Sequence, residues 1–160
     1  MTDELLRNAR RFAEGFSEAT RVTERPTRVA IVACMDARLD PQAIFGLASG
    51  DAHVIRNAGG VVSDDVIRSL AISQRLLGTT EIVLVHHTDC GMLTFRDDDV
   101  KDQIAADTGI RPPFALEAFP DLDDDVRQSV ARIHASPFIP HKNVRGFVYE
   151  VENGSLREVS

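Results

Sequence analysis

Val29-Ala30-Ile31-Val32-Ala33-Cys34-Met35-Asp36-Ala37-Arg38 decides the fold, together with a second stretch of the same build, Ile82-Val83-Leu84-Val85-His86-His87-Thr88-Asp89-Cys90. Each opens with a continuous apolar run rich in β-branched residues, the pattern of a strand covered on both faces in a parallel sheet. Each run then gives way to side chains that bind metals or carry charge. The chain has two cysteines, both placed just beyond such a run, and His87 stands three residues before one of them.

Working outward, the segments between these runs read as crossover helices. Asp40-Pro41 starts a short helix through Ile44, Phe45 and Leu47 that is expected to end near Gly50. Residues 52–57 form a second strand running into Gly59-Gly60. Ser63 caps a helix whose first turn holds Asp64 and Asp65, and Val66, Ile67, Leu70, Ala71, Gln74 and Leu77 carry it to a stop at Gly78. The third strand spans 81–87. Residues 92–118 are weakly patterned, with Asp97-Asp98-Asp99 and Arg111-Pro112-Pro113 read as breakers. A helix is expected over 122–135, from the acidic turn Asp123-Asp124-Asp125 to the stop before Pro137. Val144, Phe147 and Val148 belong to a fourth strand, and the turn Asn153-Gly154 predicts an antiparallel return over 155–159. Residues 3–18 read as a helix with Leu5, Ala9, Phe12, Ala13 and Phe16 on one face. Pro26 marks the loop into the first strand, residues 28–34.

The expected fold is therefore α/β: a mostly parallel central sheet of order 2-1-3-4, with an antiparallel edge strand, flanked by helices. Residues 1–160 make one domain, with 1–25 an N-terminal helical arm that packs on its own domain or lies across a partner subunit. A chain of 160 residues can bury about 70% of its unfolded surface. The net charge of −7, with no clustered lysine or arginine, argues against nucleic acid and anionic membrane as partners. No apolar run of about 18 residues reads as a membrane span, and Met1-Thr2-Asp3-Glu4-Leu5 has no signal-peptide build. A cytoplasmic enzyme is the expectation.

In an open parallel sheet, ligands collect beyond the carboxyl ends of the strands where the order reverses. An order of 2-1-3-4 puts the ends of the first and third strands there, gathering Cys34 and His87, which are 53 positions apart. Cys90 completes a Cys₂His set, the ligand count of a zinc site with one open position. His86 and His87 face opposite ways on a strand, and only His87 gives the spacing His-x-x-Cys, so His87 is the ligand. Asp36 and Arg38 follow the first strand at spacings of two and can project toward the same pocket. They are read as a catalytic pair, with Asp36 a carboxylate able to move on and off the metal. Their bland alternative is a surface ion pair worth under about 1 kcal/mol. For the two cysteines the alternative is a disulfide, which a reducing cytosol disfavours.

These residues resemble the β-class carbonic anhydrases. Cys34-x-Asp36-x-Arg38 and His87-x-x-Cys90 match that family's two motifs, and Arg56-Asn57-Ala58-Gly59-Gly60 with His87-Thr88-Asp89-Cys90-Gly91-Met92-Leu93-Thr94 resemble its minimal-length subgroup. Ala37 departs from the serine that many members carry there. The likeness runs from about residue 28 to 151. It implies a homodimer or tetramer with one Zn²⁺ per subunit near the interface, held by Cys34, His87 and Cys90, with Asp36 as an exchangeable fourth ligand. The implied activity is reversible hydration of carbon dioxide to bicarbonate and a proton, by zinc-bound hydroxide oriented by Asp36 and Arg38. Two thiolates on the metal predict that hydroxide forms at higher pH than in an all-histidine site. His53, His134 and His141 are proton-carrier candidates by type only. The rival readings are a hydrolase of carbonyl sulfide or carbon disulfide on the same site, and a zinc or redox module without turnover.

Overall fold

The computed structural model describes residues 1–17 and 27–160. Pro26 and the last residue of the expected first helix lie outside the described residues. Four parallel strands and one antiparallel edge strand make a single sheet of order β2-β1-β3-β4-β5. They are β1 (Val29–Cys34), β2 (Ala52–Asn57), β3 (Glu81–His87), β4 (Asn143–Tyr149) and β5 (Leu156–Val159). β2, β1, β3 and β4 run parallel, and β5 pairs antiparallel with β4, Tyr149 opposite Leu156. The expected order and antiparallel edge are those observed. Asn153-Gly154 makes the return, with Gly154 at φ 75.

The buried runs behave as a two-faced sheet requires. Ala30, Val32, Ile82 and Leu84 pack with Val66 and Leu70 of α3 (Asp64–Arg75) and Ile133 of α5 (Leu122–Ala135). Ile31, Ala33 and Val85 point the other way, into a second cluster with Leu39, Val61, Met92 and Phe119. Gly146 lets α5 lie close on β4, because a Cβ there would stand 2.3 Å from Val126 Cγ1. The expected cap is in place, Ser63 Oγ accepting from the Val66 amide, and at the helix start read at Asp40-Pro41 the Asp40 Oδ1 accepts from the amides of Gln42 and Ala43.

Besides the first helix, which stops at Glu14 within the expected 3–18, three expectations need correction. The helix after Asp40, α2 (Pro41–Phe45), stops well before Gly50. Gly46 enters the left-handed region at φ 64 and its amide turns back to Ala43, while Leu47 closes onto Gln42. α3 ends at Arg75 rather than Gly78, which lies in the following turn at φ 83. The third is larger. Asp97-Asp98-Asp99 does not break structure; it forms the first turn of α4 (Asp97–Thr108). Three carboxylates suit the positive end of a helix dipole. The periodic signal is weak because α4 buries no residue.

The first helix, α1 (Thr2–Glu14), also buries none of its residues. Leu5, Leu6, Phe12 and Phe16 are all more than half exposed on the chain.

Candidate metal centre

β1 and β3 are neighbours and parallel, so their carboxyl ends come out side by side at the one place where chain order reverses. Cys34 is the last residue of β1 and His87 the last of β3, and Cys90 leads into a 3₁₀ turn over Gly91–Leu93. Their ligand atoms, two Sγ and one imidazole nitrogen, all lie within 4.8 Å of one another, and all three residues are buried. No disulfide forms; both cysteines are free.

The imidazole is prepared for a ligand. His87 Nδ1 stands 2.8 Å from the Thr88 carbonyl oxygen, a contact that requires Nδ1 to carry the proton and donate it. The Nε2 lone pair is then free, and Nε2 is buried with no hydrogen-bond partner among the described residues. An orphaned buried acceptor facing two sulfurs is costly unless something cationic occupies the space. The Cys34 thiol is lowered to about 4, chiefly because the Cys90 thiol donates to it, against burial and with help from His87 and the backbone amides of Asp36 and Gly59. The same contact pushes Cys90 up, and burial adds to it. The contact thus favours negative charge on Cys34 over Cys90. Burial opposes a charge on His87, yet the Cys34 sulfur, the Thr88 carbonyl and Asp36 together raise it above the ordinary imidazole value. All three groups therefore ask for positive charge at the same point, and the donor set fits a zinc ion.

Asp36 and Arg38 also converge here. Arg38 grips the Asp36 carboxylate with Nε at 3.0 Å from Oδ1 and Nη2 at 2.8 Å from Oδ2, and its own amide donates to Oδ1 at 2.9 Å. The Arg38 side chain, first, and its amide, second, hold the Asp36 carboxyl far below the usual range, and the guanidinium rises correspondingly. Asp36 Oδ2 remains 3.8 Å from His87 Nε2, so the carboxylate borders the cluster while it is turned to Arg38.

Two supporting residues carried no role in the sequence reading. Arg56 donates from Nε to the Cys34 carbonyl (3.0 Å) and from Nη2 to the Asp36 carbonyl (2.7 Å), which staples the loop that presents both side chains. Asp89 accepts from Arg38 Nη1 at 2.7 Å, and its carbonyl accepts from Nη2 at 3.0 Å. Arg56 lies within a quoted motif and Asp89 stands beside Cys90, but a charged residue near a ligand does not reveal in sequence which atom it will reach. Gly60 is needed for a close approach: at φ 71, a Cβ would come within 2.8 Å of the Cys34 nitrogen.

His86 faces away from the cluster, as alternation requires, and its Nε2 lies 2.6 Å from Asp125 of α5. The three histidines named by type are not gathered at the site. His53 pairs with Ala30 at the far end of β1 and contacts Ser73; His141 precedes β4, and His134 is in the last turn of α5.

Comparison with known proteins agrees with the geometry. The sequence profile of the carbonic anhydrase family matches residues 29–112. Beta-carbonic anhydrase 1 of Mycobacterium tuberculosis is 57% identical over 162 residues, covering 100% of this chain and 98% of that protein. A carbon disulfide hydrolase of Acidithiobacillus thiooxidans is 35% identical, covering 81% of this chain and 76% of that protein. The crystal structure of carbonic anhydrase from Streptococcus mutans superposes with a TM-score of 0.88 at 41% identity, over 99% of this chain and 97% of that one. With a Cys-His-Cys cluster at the switch point of its sheet and these relatives along its whole length, the chain belongs to the carbonic anhydrase family, in the β class.

Proposed function

We propose that this chain hydrates carbon dioxide reversibly to bicarbonate and a proton at one zinc ion per subunit, held by Cys34, His87 and Cys90, with Asp36 and Arg38 as the catalytic pair. The observation that carries this reading is the free Nε2 lone pair of buried His87 aimed at two free sulfurs. Zinc bound there supplies Lewis acidity, bringing the ionisation of a water from 15.7 down to about 7 in all-imidazole sites and less far beside two thiolates.

The chain's own residues do the rest. Amides of Asp36 and Gly59 favour the Cys34 thiolate, and the Met92 amide does the same for Cys90. Thr88 fixes the imidazole tautomer. Asp36, held ionised by Arg38, stays a hydrogen-bond acceptor and does not take up the reaction's proton. It would accept a hydrogen bond from the attacking oxygen, without taking its proton, and so aim that oxygen's lone pair toward the carbon of carbon dioxide. Released from Arg38, the same carboxylate borders the cluster closely enough to serve as a fourth ligand and close the site.

Residues 1–160 act in this reading as one domain, with 1–25 an arm. The working form is a homodimer or tetramer in this reading, supported by the apolar stripe of α1, which stays more than half exposed among the described residues. Two free thiols suit a reducing compartment, and we assign the enzyme to the cytoplasm. No helix among the described residues is long and apolar enough to cross a membrane.

One specific observation favours a second reading: several relatives at 35% identity are carbon disulfide hydrolases, so the same site could open a C=S bond. Stopped-flow hydration of carbon dioxide by zinc-loaded protein, run beside carbonyl sulfide and carbon disulfide hydrolysis, tests both. The expected result is hydration by far the fastest, and Cys34→Ser protein that binds no stoichiometric zinc. Faster turnover of a sulfur substrate would reassign the substrate, and full zinc in Cys34→Ser would overturn the ligand set.

A further inference from the structure

Arg38 is bound on two sides, and only one of them is Asp36. Its Nη1 donates to Asp89 Oδ2 at 2.7 Å and its Nη2 to the Asp89 carbonyl at 3.0 Å. Asp89 adopts φ 53, a left-handed conformation that a non-glycine residue takes at a cost. That conformation turns both its carbonyl and its carboxylate onto one guanidinium 51 positions earlier in the chain. Arg38 itself is 46% exposed, so without a second anchor its long side chain would sample solvent and hold Asp36 only part of the time.

We propose that Asp89 is the positioning residue for Arg38. It clamps the guanidinium from the side opposite Asp36, so that the Arg38–Asp36 fork stays closed and the Asp36 carboxylate stays turned from the metal cluster. Charge competition would work the other way. If Asp89 mainly drew positive charge from Asp36, its removal would tighten the fork. Geometry favours the clamp, since Asp89 takes Nη1 and one Nη2 hydrogen, while Nε and the other Nη2 hydrogen stay with Asp36. The placement of Asp89 also makes the His-x-x-Cys loop serve twice, once for the sulfur of Cys90 and once for the arginine that governs Asp36. The inference rests on the proposed zinc chemistry for its consequence in turnover, but not for its geometry.

Two variants suited to a left-handed residue test it without disturbing the backbone: Asp89→Gly removes the carboxylate, and Asp89→Asn keeps its shape and an acceptor oxygen. Hydrogen exchange of the Arg38 Nε–H is read by NMR on the zinc-free protein, with Arg38→Lys identifying the resonance. That hydrogen belongs to the Asp36 contact, so it reports the fork and not Asp89 directly. The expected result is at least tenfold faster exchange in Asp89→Gly and a change within about threefold in Asp89→Asn. In zinc-loaded protein, X-ray absorption should then find a carboxylate among the metal's neighbours more often in Asp89→Gly, at unchanged zinc stoichiometry. Unaltered exchange in Asp89→Gly, equal acceleration in both variants, or slower exchange in either overturns the proposal. If the wild-type protein bound no zinc, the functional reading would fall while the exchange measurement still decided this one.

Discussion

At the scale of single residues, the candidate centre depends on which group each atom is allowed to face. Arg38 takes both oxygens of Asp36, and nothing else in the chain donates to them apart from the Arg38 amide among the contacts described. Arg38→Ala should therefore free an ionised carboxylate beside three electron-rich ligands that call for a cation. The expected protein keeps its zinc, loses at least about a hundredfold in hydration rate, and shows Asp36 as the fourth ligand by crystallography. Retained activity with solvent in that position would reduce the Asp36–Arg38 contact to an ordinary ion pair. That Cys34, Asp36, Arg38, His87 and Cys90 come together was legible in the sequence, because they follow two apolar runs whose parallel pairing could be inferred. Asp89 and Arg56 were not, because what they do is set by the exit angles of loops from the sheet. No spacing rule encodes those angles.

At the scale of elements, α4 and α5 carry the same sequence signal and were read differently. Asp123-Asp124-Asp125 reads as a helix start because Val126, Val130 and Ile133 follow with helical spacing. Asp97-Asp98-Asp99 reads as a breaker because no such stripe follows it. α4 is a helix that buries nothing, so periodicity, which reports burial, could not find it. What fixes its start is Asp97, whose carboxylate accepts from the amides of Leu116 (2.7 Å), Glu117 (3.2 Å) and Ala118 (2.9 Å) in the loop ahead of α5. Burial pushes the Asp97 carboxyl up, but these three amides outweigh it and leave it below its ordinary value. A lowered folded value means that the stabilisation is fully present above the unfolded value, near 4, and is lost as pH falls through the folded one. Asp97→Ala should cost about 1–2 kcal/mol at neutral pH, with the half-buried carboxylate at the low end of the range for charged hydrogen bonds. Urea unfolding at pH 7 and pH 3 checks this, since the gap between variant and wild type should narrow at the lower pH. An equal gap at both would remove the carboxylate's charge from the explanation.

At the scale of the whole molecule, the strand order, the reversal between β1 and β3 and the antiparallel edge all follow from the reading of apolar runs and turns. The sheet was legible because its central strands, β1 and β3, are buried on the chain itself. The arm was legible as a helix but not in its destination. Its stripe of Leu5, Leu6, Phe12 and Phe16 stays more than half exposed, and no residue of α1 is buried among the described residues. Removal of residues 1–17 should shift the protein toward smaller species in sedimentation at micromolar concentration, with β1–β5 still folded. An unchanged assembly would place the contact between subunits elsewhere. The exposed stripe has a further consequence. A helix of 13 residues is marginal in water on its own. If a second copy is what orders it, the arm's helicity becomes a function of protein concentration. Circular dichroism at 222 nm should then weaken as the protein is diluted through its dissociation range, while signals from the sheet hold constant. The arm would in that case be the part of the chain whose secondary structure reports how many copies are nearby.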